Sequence, residues 1–212
     1  MGVSYSLELK LATDRTRRIL ELAHETGALM YGDFTLSSGK KSDHYYDGKQ
    51  LTLHPEGAYL VGEEILDRLA GANIAAIGGL AIGAVPIVTA VAVVSHLKGK
   101  PVPSFMVRDE AKAHGTRKRI EGQFKRDSRV AIIDDVITTG DSVYKAIEAV
   151  RAEGCQVVKV IAIVDRQEGG SDRLKKEGYD FEAIIELPPS GKPSVSESST
   201  TNGQTEKGIL RR

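Results

Sequence analysis

Residues 130–142 read VAIIDDVITTGDS. The run Val130 to Ile133 has the composition of a strand buried in a core, and it ends in two adjacent acids, Asp134 and Asp135. A polar turn, Ile137-Thr138-Thr139-Gly140-Asp141-Ser142, follows, and VYKAIEAV then takes up helical spacing. Strand, turn and helix in that order make half of a βαβ unit. Side chains alternate across a strand, so the two acids are expected on opposite faces, where they need not repel at contact distance and can serve different tasks.

The turn is chemically specific. Free N–H groups and the hydroxyls of Thr138, Thr139 and Ser142 converge at a helix N-terminus, where the helix dipole is positive, and Gly140 lets the backbone come close to a ligand. That combination suits a phosphate, while carboxylates just before it accept from sugar hydroxyls. The other reading is a plain strand-to-helix turn in which Thr139 or Asp141 caps the helix.

Outward from this stretch, short apolar runs alternate with helical ones. IAAIGG (74–79), a helix from about Gly83 to Leu97, and PSFMVR (103–108) come before it. A helix from about Asp141 to Glu153, the run VVKVIAIVD (157–165) and a final run from Phe181 to Leu187 come after. The alternation predicts right-handed βαβ units and a largely parallel sheet covered on both faces, with ligands outside the carboxyl ends of the strands. Towards the N-terminus, Thr13 to Thr26 carries Ile19, Leu20, Leu22 and Ala23 at helical spacing before Gly27, and Tyr31 to Gly48 reads as a pair of short strands around SSGKKSD. Pro55 opens a helix to about Gly71. The last 25 residues, from Pro188, are rich in Ser, Thr, Gly and Pro and predict a tail without a core. The expected organisation is one domain over 1–189, its first 54 residues an entry helix and small hood, and a disordered tail over 190–212.

Composition narrows the function classes. The 212 residues are 41% hydrophobic, enough for a core, and 29 Lys and Arg balance 29 Asp and Glu, so no global basic field points to nucleic acid. The lone Cys155 excludes a disulfide framework and a multi-cysteine zinc site. No stretch of 18 apolar residues suggests a membrane span, and a cytoplasmic protein is expected. The start at Gly2 with Ser6 formally fits a myristoylation pattern, but no other membrane feature supports it. HExxH, GxSxG, Walker and GxGxxG patterns are missing from the sequence. GGLAIGAVP (78–86) is glycine-rich, and two readings stand: an amide cradle for an anion, or close packing at a strand-to-helix turn.

The run ending in DDVITTGDS resembles the phosphoribosyl-diphosphate (PRPP) signature of the type I phosphoribosyltransferases. FTLSSGKKSDHYYD (34–47), VRDEAKAHG (107–115) and IVDRQEGG (163–170) are similar, in the same order, to orotate phosphoribosyltransferases, so that the likeness spans about Leu20 to Leu187. The resemblance implies an α/β type I phosphoribosyltransferase fold and transfer of ribose 5-phosphate from PRPP to orotate with Mg²⁺, giving orotidine 5′-monophosphate and pyrophosphate in pyrimidine (UMP) synthesis. It implies that Asp134 and Asp135 bind the ribose hydroxyls, that Thr138, Thr139, Gly140, Asp141 and Ser142 hold the 5-phosphate and that Val136 and Ile137 also bind PRPP, with Thr138 touching orotate as well. Arg166 would meet the orotate carboxylate; read from the residues alone, it is a surface arginine paired with Asp165 or Glu168. Arg108, Lys112 and His114 would sit on a catalytic lid that reaches PRPP in the neighbouring subunit of a homodimer. From sequence alone that basic segment reads as a solvated loop. Mg²⁺ would be held mainly by PRPP and water, with no direct protein ligand, and no nucleic-acid or membrane partner is expected.

This chain departs from the family pattern in three places. Asp109 stands where a lysine usually follows the arginine, so it must turn away or be offset by a cation such as Arg117 or Lys118. Ser37 and Ala81-Ile82 replace residues that often include lysine. Two other readings remain: a phosphoribosyltransferase for another nucleobase, and a PRPP-binding regulator without catalysis.

Overall fold

The structure, a computed structural model, describes residues 14–35, 39, 41–109, 118–189 and 194–195. Helix α1 (Asp14–Glu25) leads to β1 (Leu29–Thr35) and β2 (Lys41–Tyr46), which pair antiparallel as a separate two-stranded sheet, the hood. A five-residue helix, α2 (Gly48–Thr52), joins it to α3 (Pro55–Arg68), which has Pro55 in its first turn as the sequence predicts. The βαβ pattern then runs β3 (Ala76–Leu80), α4 (Ala84–Leu97), β4 (Ser104–Val107), β5 (Ile120–Gly122), β6 (Arg129–Ile137), α5 (Asp141–Ala152), β7 (Gln156–Asp165), α6 (Gly170–Lys176), β8 (Phe181–Glu186) and β9 (Ser194–Val195).

The main sheet has seven strands in the order β5-β4-β3-β6-β7-β8-β9. Its five central strands are parallel, and the short edge strands β5 and β9 run antiparallel. β9 lies beyond residue 189, inside the stretch whose composition predicts a tail. From β3 the chain goes first to β4 on one side and then back to β6 on the other, so the strand order reverses between β3 and β6. A crevice opens outside the carboxyl ends of strands at such a point, and the acids of β6 fall there.

Alternation along β6 builds the core on both faces. Ala131 and Ile133 pack with α1, α3 and α4 through residues such as Ile19, Ile65 and Val91, whereas Val130 and Ile132 pack with α5 and α6 through Val143, Ile147 and Leu174. Burial of a side chain of this size contributes roughly 1.5–3 kcal/mol, so β6 is fixed in register by its apolar half. Its polar end is therefore held by a rigid strand. Among the described residues no helix is long and apolar enough to cross a membrane.

Candidate active site

At the end of β6, Asp134 is buried and Asp135 half-buried. Asp135 faces α2 and the head of α4, as alternation from Ile133 requires, and the neighbouring carboxyls are close enough for the charge of Asp135 to act on Asp134. The Asp135 N–H also donates to Asp134 Oδ1 (3.0 Å), and the Val136 N–H donates to Asp135 Oδ1 (3.1 Å). Just past the pair the alternation reverses, because Val136 packs with the α3–α4 cluster and Ile137 with the α5 cluster. Burial, reinforced by the Asp135 charge, pushes the Asp134 carboxyl well above the usual carboxylate range. Burial raises Asp135 as well, opposed by its surroundings, Lys49 among them.

Asp135 is enclosed from two directions by glycines. A Cβ on Gly83, at the head of α4, would stand 2.5 Å from Asp135 Oδ1, and one on Gly48 of α2 would stand 2.9 Å from Oδ2. The same Gly48 position is 3.3 Å from the Tyr46 ring. In the GGLAIGAVP loop, packing explains the first two glycines, since a Cβ would meet the Phe105 ring at 2.2 Å (Gly78) or the Ile133 carbonyl oxygen at 2.0 Å (Gly79). Between them and Gly83 the Ala81 N–H donates to the Val107 carbonyl (2.7 Å), the Ala81–Ile82 peptide is cis, and Ile82 is exposed.

The phosphate turn follows. Gly140 occupies the N-cap of α5 at φ +86°, a left-handed conformation that favours glycine, and no side chain caps the helix. The reading in which Thr139 or Asp141 serves as the cap is therefore not realised. The turn is braced from outside by the loop after β7. The Gly170 N–H donates to the Thr138 carbonyl (2.9 Å), and a Cβ on Gly170 would stand 2.6 Å from that oxygen and 2.7 Å from the Gly140 nitrogen. Sequence reasoning passed over Gly170; the doublet Gly169-Gly170 was its visible signal.

Arg166 is buried, which corrects the surface reading. Its N–H donates to the Ile137 carbonyl (2.9 Å), so it begins where the phosphate turn begins. Its guanidinium reaches back to the hood, donating a long 3.5 Å bond to Ser42 Oγ of β2, while Nε lies 3.1 Å from Glu168 Oε1 without hydrogen-bond alignment. Among the described residues, Arg166 Nε, His44 Nε2 and Tyr46 OH are buried and without a hydrogen-bond partner. Unpaired buried polar atoms are costly unless a ligand answers them.

The structure does not bring every expected residue to this crevice. Arg108 Nε is 2.6 Å from Glu121 Oε1 on β5. Asp109 is offset by a nearby cation, Lys145 of α5 (2.7 Å). Lys112, His114 and Arg117, like Ser37, lie outside the described residues. Among the described residues no three His, Cys, Asp or Glu side chains converge as a metal cage.

Comparison with known proteins adds to this geometry. Residues 49–188 match the family model of the phosphoribosyl transferase domain. The chain is 44% identical over 172 residues to the orotate phosphoribosyltransferase of Nostoc sp., covering 81% of this chain and 82% of that protein. It is 43% identical over 178 residues to the Aquifex aeolicus enzyme of the same name, covering 84% and 94%. Among solved structures, Mycobacterium tuberculosis orotate phosphoribosyltransferase in complex with inorganic phosphate superposes with a TM-score of 0.72 at 31% identity, covering 82% of this chain and 97% of that one. The same enzyme in complex with PRPP gives a TM-score of 0.68.

Proposed function

The chain belongs to the phosphoribosyl transferase family, as one of its orotate phosphoribosyltransferases, and from that premise we propose how its residues divide the reaction. The enzyme transfers ribose 5-phosphate from PRPP to orotate, forming orotidine 5′-monophosphate and pyrophosphate in pyrimidine biosynthesis. The C1–O bond to pyrophosphate breaks and the bond to N1 of orotate forms, through an oxocarbenium-like state of the kind glycosyl transfers share. The observation that carries the assignment of roles is the convergence, outside β6 and β7, of an acid pair, an uncapped helix N-terminus and a buried arginine.

In this proposal Asp134 and Asp135 accept from the ribose hydroxyls. Thr138 to Ser142 hold the 5-phosphate through backbone N–H groups and hydroxyls, which fits the positive end of α5. Arg166 presents its planar fork to the orotate carboxylate, and Thr138 touches the same base. The two acids beside the ribose site suit Mg²⁺ that would be held mainly by PRPP oxygens and waters, with the aspartates helping indirectly. When bound, Mg²⁺ supplies positive charge to the departing pyrophosphate. Arg108, Lys112 and His114 supply further charge from a lid shared across a homodimer, with Arg108 exchanging Glu121 for the diphosphate. Lys145 neutralises Asp109, which relieves the departure from the family pattern. The lone buried cysteine supports a cytoplasmic location, and the single sheet that joins β3 to β8 supports reading the chain as one domain.

The assay is spectrophotometric: loss of orotate is expected with PRPP and Mg²⁺ together and is expected to stop on adding a chelator. An enzyme that consumed no orotate at any PRPP concentration would overturn the reading. For the lid, Lys112→Ala is expected to lower kcat by about 10²–10³, the usual loss when one charge-stabilising donor is removed. An unchanged kcat would remove Lys112 from catalysis.

A further inference from the structure

Arg166 carries an ion pair that no role given above uses. Glu168, two residues on in the same loop, sets Oε1 3.1 Å from Arg166 Nε, off the line of a hydrogen bond. The chain folds back to allow it. The Asp165 carboxylate accepts from the Gln167 N–H (2.8 Å), Gln167 takes a left-handed φ of +52°, and its side chain donates to Glu186 Oε2 of β8 (3.1 Å). Glu168 is thereby returned to the guanidinium. A residue other than glycine in that conformation is uncommon, and such turns gather at functional sites. We propose that Glu168 stands in for the substrate: its carboxylate occupies Arg166 in the empty enzyme and gives way to the carboxylate of orotate. The inference rests on the role given above to Arg166, and Glu168 acts through that arginine as a positioning residue.

Charge and geometry separate this role from that of a plain brace. A buried guanidinium without an anion is costly, so an empty site needs a carboxylate of its own. One cation cannot serve two carboxylates equally well, because they repel each other across it. Glu168 is the one placed to yield: its side chain is 20% exposed against 9% for Arg166, and its contact lacks the direction of a hydrogen bond. The loop is held in shape by other bonds, those of Gln167 and those from the Arg166 and Gly170 N–H groups to the phosphate turn. Removing the Glu168 charge therefore destabilises the empty site, where Arg166 loses its counter-charge, and relieves repulsion in the filled one. Both changes favour orotate.

In full-length Glu168→Gln the KM for orotate at saturating PRPP is expected to fall about tenfold, the scale of one partly buried charge pair, with the KM for PRPP within about twofold of the wild type. The melting temperature is expected to drop without orotate and to rise further than that of the wild type when orotate is added. A brace makes the opposite prediction, because a badly held fork binds orotate worse. A raised or unchanged KM for orotate in Glu168→Gln would overturn the proposal. If that variant is unfolded on its own, melting in saturating orotate decides, since the substrate carboxylate then takes the place of the missing one. Failure of orotate to restore the fold would overturn the proposal equally. A wild type inactive on orotate would defeat the functional reading, whereas an active wild type whose KM for orotate is not lowered by Glu168→Gln defeats this inference alone.

Discussion

Arg166→Ala is expected to cut kcat/KM for orotate by about 10³, close to 4 kcal/mol, while leaving the KM for PRPP nearly unchanged. The size follows from burial. A guanidinium held under the hood, beside Glu168 and with only a long hydrogen bond to Ser42, is desolvated already and gains when a carboxylate meets its planar fork. Arg166→Lys should lose most of the same activity, because an ammonium keeps the charge but not the two-pronged geometry. Steady-state kinetics with each substrate varied in turn would decide it. Equal losses for both substrates, or none, would remove Arg166 from base recognition. The backbone bond from Arg166 to Ile137 survives either substitution, so the phosphate turn should keep its shape.

Gly170→Ala should do the reverse, raising the KM for PRPP by about 10² and sparing orotate recognition until the phosphate turn has moved. A methyl group here collides with two backbone atoms of that turn, the Thr138 oxygen and the Gly140 nitrogen, and neither belongs to a flexible side chain. The turn must shift by a good part of an ångström, and displacements on that scale cost about 10² in rate when they disturb substrate placement. Overpacking should also lower stability by about 1–3 kcal/mol. Gly178→Ala is the control: φ is +84° with open space around it at the far end of α6, so it should lose stability without touching PRPP. Thermal shift with and without PRPP, beside the two KM values, separates the cases. A Gly170→Ala enzyme with normal PRPP affinity would show that the turn is not braced from the β7 loop.

Much of this architecture was readable from residue pattern. The apolar runs at β3, β6 and β7 and the helical spacing in α3, α4 and α5 are long and regular, so burial leaves a clear trace. The turn after β6 was readable because amide donors, hydroxyls and glycine occur together. β5 and α6 left little trace, one having three residues inside a basic stretch and the other seven with Leu174 as its core anchor. The closeness of Asp135 to α2 and the head of α4 was hidden for a different reason. Alternation gives direction but not distance, and it reverses at Val136, where substrate-facing backbone departs from regular strand geometry. Arg166 looked like a surface residue because nothing local foretells that the hood closes over it. Gly48 was silent too, since its neighbour Asp135 is distant in sequence and brought to it only by the fold.

The bonds from Arg166 to Ile137 and from Gly170 to Thr138 have a consequence for how this scaffold can change. On the roles proposed above, the loop that would select the base and the turn that would hold the phosphate are two sides of one hydrogen-bonded splice. Base preference is therefore not a detachable module here. Insertions or a reshaped loop after β7, the simplest route to a new acceptor, would loosen the grip on the donor at the same time. Substitutions that keep both amides in place and alter only side chains, at Arg166 or on the inner face of β2, are the path along which a descendant enzyme could exchange its acceptor and still use PRPP.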